Sequence, residues 1–227
     1  LIMRLITNTP LDKLLSGGIE VDAVTNIYGP AGCGKTNIAL CTTIVCAESR
    51  KVIYIDTEGS FSLDRFRQLG GNENHLKNII FMEPHAWKEQ HAIVQKMEAI
   101  VKKEEVGLII IDSLVTLYRL ELDQENFQLI NKQLATQYSI LSMISRKYKI
   151  PVLVTNQVYG LGKEEQIELT SRTIAKYWSK ALIELKKLDK PGSRVAIVRK
   201  HRSLPEGKSI EFEITESKLK EVRLGLF

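Results

Sequence analysis

The run Gly29-Pro30-Ala31-Gly32-Cys33-Gly34-Lys35-Thr36 carries the sharpest chemistry in the chain. It satisfies GxxxxGK[ST], in which glycines let the main chain curl until its N–H groups converge on phosphate oxygens. A helix starting at the end of the run adds positive potential. Lys35 then reaches the β and γ phosphates, and the Thr36 hydroxyl is a magnesium ligand. A glycine-rich turn that merely resembles the motif is the plain alternative. A strand-like run before it and a helical run after it weigh against that alternative.

Three further residues close aliphatic runs. Asp112 follows Leu108-Ile109-Ile110-Ile111 and suits the carboxylate that holds a magnesium shell from a neighbouring buried strand, the alternative being a cap on whatever follows. Glu58, in Tyr54-Ile55-Asp56-Thr57-Glu58-Gly59, is placed to orient or deprotonate an attacking water, or is a surface glutamate before a glycine turn. Gln157, after Val154-Thr155-Asn156, offers an amide to a γ-phosphate. The expected cofactors are therefore ATP and Mg2+, with Lys35, Glu58 and Gln157 as the catalytic group and Thr36 and Asp112 on the metal.

These residues need a sheet edge to bring them together. Short β-branched or aliphatic runs at 24–28, 52–56, 78–82, 108–112 and 151–155 predict buried strands. Between them, Ile93, Val94, Met97, Ile100 and Val101, then Phe127, Ile130, Leu134, Tyr138, Leu141 and Ile144, follow a helical period. Strands alternating with helices predict a mainly parallel, twisted α/β sheet with its function at the C-terminal strand ends. After Tyr177 the runs 181–186, 194–199 and 209–214 have no long helix between them, and Asp189-Lys190-Pro191-Gly192-Ser193 supplies a hairpin turn. They predict an antiparallel C-terminal extension.

With 227 residues and 44% hydrophobic content, the chain suits one compact domain over 1–227. A charged share of 26% and an aromatic share of 7% exclude collagen-like, disordered and disulfide-scaffold classes. No apolar stretch nears the roughly 18 residues of a membrane span, and 1–5 has no leader architecture, so the expectation is a cytoplasmic protein with no membrane partner. Cys33, Cys41 and Cys46 form no CxxC pair, and neither a disulfide nor zinc is expected. The net charge of +5 is uneven, −1 through Ala175 and +6 from Lys176 onward. That asymmetry suits a polyanionic partner on one face or a solvated basic surface. Within it, Arg199-Lys200-His201-Arg202 is the candidate DNA contact, the alternative being edge charge that discourages sheet aggregation.

Taken in order, the segment 11–19 (LDKLLSGGI), then GPAGCGKT, YIDTEGSF, LIIIDS and VTNQV resemble the core of the RecA/RadA recombinase family, from about Thr9 to the C-terminus. The resemblance implies a RecA-like ATPase core. It gives Glu58 the role of catalytic glutamate, Gln157 that of the γ-phosphate-sensing residue opening the second DNA loop, and Arg65 that of an arginine packed on adenine, which a guanidinium can do by stacking. Within the family the chain is most similar to RadA paralogues without the N-terminal helix-hairpin-helix domain, which implies weak filament formation. The segment 158–172, matching the second DNA loop, sets Lys163 and Arg172 against Glu164, Glu165 and Glu168 and is net −1, poor for gripping phosphates. Tyr159 there suits either base stacking or packing within a loop. The implied function is an ATP- and DNA-binding accessory of homologous recombination and repair with weak ATPase activity. Its implied partners are single-stranded DNA and a RadA-type recombinase, and a homodimer is compatible with it. A filament-forming, DNA-stimulated recombinase and a small-molecule kinase stay open as alternatives.

Overall fold

The computed structural model describes residues 3–157 and 165–222, with side chains of 165–170 excepted. In chain order the elements are β1 (Arg4–Leu5), α1 (Leu11–Leu14), β2 (Ile19–Glu20), β3 (Val24–Gly29), α2 (Lys35–Ala47), β4 (Lys51–Asp56), α3 (Leu63–Gln68), α4 (Glu73–Leu76) and β5 (Ile79–Met82). There follow α5 (Trp87–Lys103), β6 (Val106–Asp112), α6 (Thr116–Glu121), α7 (Phe127–Tyr148), β7 (Val152–Gln157), α8 (Glu165–Trp178), β8 (Ala181–Lys187), β9 (Ser193–His201), β10 (Ser209–Ile214) and β11 (Leu219–Glu221).

Nine strands form one sheet in the order β11-β10-β9-β8-β3-β7-β6-β4-β5. From β8 to β5 every pairing is parallel, and from β8 out to β11 every pairing is antiparallel. β1 and β2 make a separate antiparallel pair. The mainly parallel sheet with an antiparallel extension is thus as the sequence predicts.

Alternation along the strands explains the two cores. Val52, Tyr54, Leu108 and Ile110 face the side covered by α1 and α2, while Ile53, Ile55, Ile109 and Ile111 face the side covered by α5 and α7. Both faces are buried, which is why these strands read as unbroken aliphatic runs. α8 differs from the expectation: the segment read as a loop over 158–172 is already helical from Glu165, and Ile174, Ala175 and Trp178 join the second core. Lys163, Tyr159 and Glu164 lie outside the described residues, as do the side chains of Glu165 and Glu168.

Tyr138 ties α7 to the middle of the sheet. Its ring is fully buried, and its hydroxyl accepts from Asn26 Nδ2 (3.0 Å) on β3 and Asn156 Nδ2 (3.1 Å) on β7. Burial pushes its phenol far above the ordinary range, so the group stays neutral and available as acceptor. Tyr138→Phe strands two buried amides at once and is expected to cost about 1–3 kcal/mol. Urea denaturation checks this, and an unchanged midpoint would contradict it.

Candidate nucleotide site

The parallel register lines up one edge of the sheet: Gly29 lies beside Gln157, Thr155 beside Asp112, and Asp112 beside Asp56. From that edge β3 runs into the glycine loop and α2. Gly34 is the N-cap of α2 at φ +105°, a left-handed conformation costly for any residue with a Cβ, and no side chain caps the helix start. The first-turn N–H groups of α2 therefore have no capping side chain. Gly29 is needed for close approach, because a Cβ there would stand 2.3 Å from the Leu185 carbonyl oxygen on β8. Lys35 is buried, and its ammonium donates to the carbonyls of Gly29 (2.9 Å) and Pro30 (3.0 Å), inside the curl of Pro30, Ala31, Gly32 and Cys33.

Asp112 is 1% exposed. It sits on β6, one strand further from β3 than the neighbouring position the sequence suggests, with β7 between. Its carboxylate accepts from Tyr54 (3.2 Å), Ser60 (3.3 Å) and Thr155, and the nearby Thr36 hydroxyl favours its charged form. Burial pushes the carboxyl above its ordinary value against the pull of Thr155, Thr36 and Tyr54, and the Glu58 charge adds to the rise. A buried carboxylate surrounded by hydroxyls, with Thr36 in reach, is a hard-oxygen donor set of the kind magnesium takes. The residues present fit that ion.

Glu58 and Gln157 meet directly. Gln157 Nε2 donates to Glu58 Oε2 (2.7 Å), and the Thr116 hydroxyl donates to Oε1 (2.6 Å). The turn that carries Glu58 is held by Asp56, whose carboxylate accepts the N–H groups of Glu58 (3.1 Å), Ser60 (3.1 Å) and Phe61 (2.8 Å). Asp56 and Thr116 escape the sequence reading. An aspartate closing a strand just before a glycine is the signal for the first, since its side chain closes such turns. Thr116 has no local signal, because it comes from α6.

Arg65, on α3, spans α2 and the β10–β11 turn. Its guanidinium donates to Asn37 Oδ1 (2.6 Å), to Gln68 and to the carbonyls of Thr215 (2.9 Å) and Glu216. Arg194 is a further residue the sequence does not single out: its Nε and Nη2 grip the Gly32 carbonyl at 3.2 and 2.9 Å.

The basic cluster is paired within the chain. Arg199 meets Glu184 (2.6 Å), Lys200 donates to the Ser179 (2.9 Å) and Lys176 carbonyls, and Arg202 meets Glu20 (2.6 Å) and Asp22. The His201 side chain is 2% exposed and lies 3.9 Å from Glu20. Phosphates approaching Arg199 and Arg202 compete with these carboxylates.

A twisted sheet of six parallel strands, a glycine loop into α2 and carboxylates at the same edge define a RecA-like α/β core. The Rad51 family pattern matches residues 1–222. The DNA repair and recombination protein RadB of Methanobrevibacter smithii is 38% identical over 221 residues, covering 94% of both chains. Its namesake from Methanococcoides burtonii is 44% identical over 211 residues, covering 91% of this chain and 92% of that one. A crystal structure of the RadB recombinase superposes with a TM-score of 0.81 at 36% identity, covering 96% of this chain and 100% of that one. The chain belongs to the Rad51 family, with RadB proteins among its relatives. No helix among the described residues is long and apolar enough to cross a membrane.

His201 gives this region a pH dependence. Burial holds its imidazole below the usual 6.5, with the pull of Glu20 opposing and Arg4 and Arg202 reinforcing. The folded chain thus binds fewer protons there than the unfolded chain, and stability present above about pH 6.5 is lost as pH falls through that value. Thermal melts from about pH 7.5 to 5.5 are expected to fall more steeply for wild type than for His201→Gln. Equal slopes would contradict the burial effect.

Proposed function

We propose that the chain binds ATP and magnesium in the glycine loop and acts with DNA as an accessory of a RadA-type recombinase in homologous recombination. The observation that carries this reading is the convergence of Lys35, Thr36 and Asp112 at one sheet edge with Glu58 and Gln157 beside them. Loop N–H groups and Lys35 hold phosphates, and Thr36 and Asp112 hold the metal, which supplies charge neutralisation to the phosphoryl group when bound. Glu58 orients a water, with its carboxylate steered by Gln157 and Thr116. Each Glu58 oxygen accepts one hydrogen bond, which orients the carboxylate and leaves a second lone pair for the water. Arg65 and the residues Arg199, Lys200 and Arg202 are the base-side and DNA-side contacts of the same reading; the His201 side chain, 2% exposed, is too buried to reach DNA and drops out of the cluster. Binding alone suffices for regulation when the nucleotide favours one of two states.

Three outcomes test the reading. Lys35→Ala is expected to lose nucleotide binding in calorimetry, while Glu58→Gln binds and loses residual hydrolysis; equal affinity in wild type and Lys35→Ala would refute the phosphate role. Lys200→Gln, which leaves Arg202 on Glu20, is expected to reduce the salt slope of single-stranded DNA binding by about 0.7, and an unchanged slope removes Lys200 from the interface. The accessory role predicts ATP-dependent acceleration of a cognate recombinase loading onto single-stranded DNA. Autonomous filaments in light scattering, with DNA-stimulated turnover, would replace that role with a recombinase.

A further inference from the structure

Arg202 stands just past the end of β9 with its guanidinium divided between two carboxylates of unequal burial. Its Nε faces Glu20 Oε2 at 2.6 Å. Glu20 lies on β2 with its side chain 2% exposed, and Arg4, its partner across the β1–β2 pair, and His201 each stand 3.9 Å away. That contact is an anchor, because breaking a buried pair leaves a charge out of water without compensation. The outer edge of the guanidinium goes to Asp22, on the turn after β2: Nη1 donates to Oδ2 (3.4 Å) and Nη2 to Oδ1. Here the side chains are 34% and 30% exposed, so water and salt reach the contact and an incoming anion can displace it.

Two N–H groups set side by side on two carboxylate oxygens form the same fork that arginine presents to two phosphate oxygens. We propose that Asp22 is a built-in phosphate mimic: in the free chain it occupies on Arg202 the seat that a backbone phosphate of single-stranded DNA takes in the complex, and so weakens DNA binding. Binding exchanges one anion for the other while Glu20 keeps the guanidinium in place. The inference rests on the DNA-side role of Arg202 given above and adds to it a contact that opposes binding. The exchange has a signature in salt. A phosphate meeting a free arginine releases its counterions, whereas an Asp22 displaced into water takes up a cation and cancels part of that release.

Fluorescence anisotropy of an oligothymidine across a salt series, on wild type, Asp22→Asn and Glu206→Gln, tests this. Asp22→Asn keeps the size of the side chain and removes the ion pair at a part-exposed position, so the fold is retained. Glu206, an exposed carboxylate on the turn after β9 whose charge reaches Arg199, controls for the plain loss of a negative charge. Asp22→Asn is expected to bind about three- to fivefold tighter than wild type at low salt, with a salt slope steeper by about 0.7. Glu206→Gln is expected to keep the wild-type slope. Asp22→Asn binding no tighter than wild type, or matching Glu206→Gln in both affinity and slope, overturns the mimic and leaves DNA binding standing. Absence of binding by all three chains overturns both. Inorganic phosphate, added to Asp22→Asn at the concentration of strand phosphates, is expected to leave the oligothymidine bound; displacement by it would give the seat to a free anion and overturn its assignment to the polymer.

Discussion

A carboxylate taken out of water is the constraint around which the sheet edge is organised. Desolvation disfavours the charge of Asp112, and hydroxyls from three separate elements or turns offset part of that cost: Tyr54 from β4, Ser60 from the following turn and Thr155 from β7. Each hydroxyl is useful only if its own strand or helix is in register. The parallel pairings that place Thr155 and Asp56 beside Asp112 are therefore part of the site's electrostatics as well as of the fold. Moving any one strand by a residue would turn its side chain to the opposite face of the sheet.

The antiparallel extension forms the outer wall of the glycine loop. Leu185 on β8 stands so close to Gly29 that only hydrogen fits, and Ile214 on β10 stands 2.9 Å from where a Cβ of Gly34 would be. Arg194 on β9 holds the Gly32 carbonyl, and Arg65 ties the turn after β10 to α2. The loop is thus braced from one side by the parallel strands and from the other by the hairpins that follow them. That bracing keeps its curl fixed before any ligand arrives, and such preorganisation limits the ordering cost of binding.

Much of this was legible in the residues. Strands buried on both faces have to be aliphatic throughout, so β3, β4, β6 and β7 announce themselves within a residue or two, and the absence of helical period after Tyr177 announces the hairpins. The placement of the glycine loop, Asp112, Glu58 and Gln157 at or just after strand ends was readable from the aliphatic runs that precede them. What was hidden depends on partners distant in the chain. Arg202 reaches Glu20 and Asp22 about 180 residues earlier, so four adjacent basic residues read as free charge although each has a partner. Thr116 and Arg194 act through contacts that no local pattern encodes. β1, β2 and β11 are two or three residues long and have no period to detect. α8 begins within the stretch that the resemblance matches to the second DNA loop.

The central claim is that Lys35, Thr36 and Asp112 form one site for a metal-bound triphosphate. Titration calorimetry of ATP with and without magnesium, on wild type and Asp112→Asn, tests it most directly. Magnesium is predicted to strengthen binding to wild type and to leave Asp112→Asn almost unaffected. The same magnesium dependence in both proteins would separate Asp112 from the metal and contradict the account.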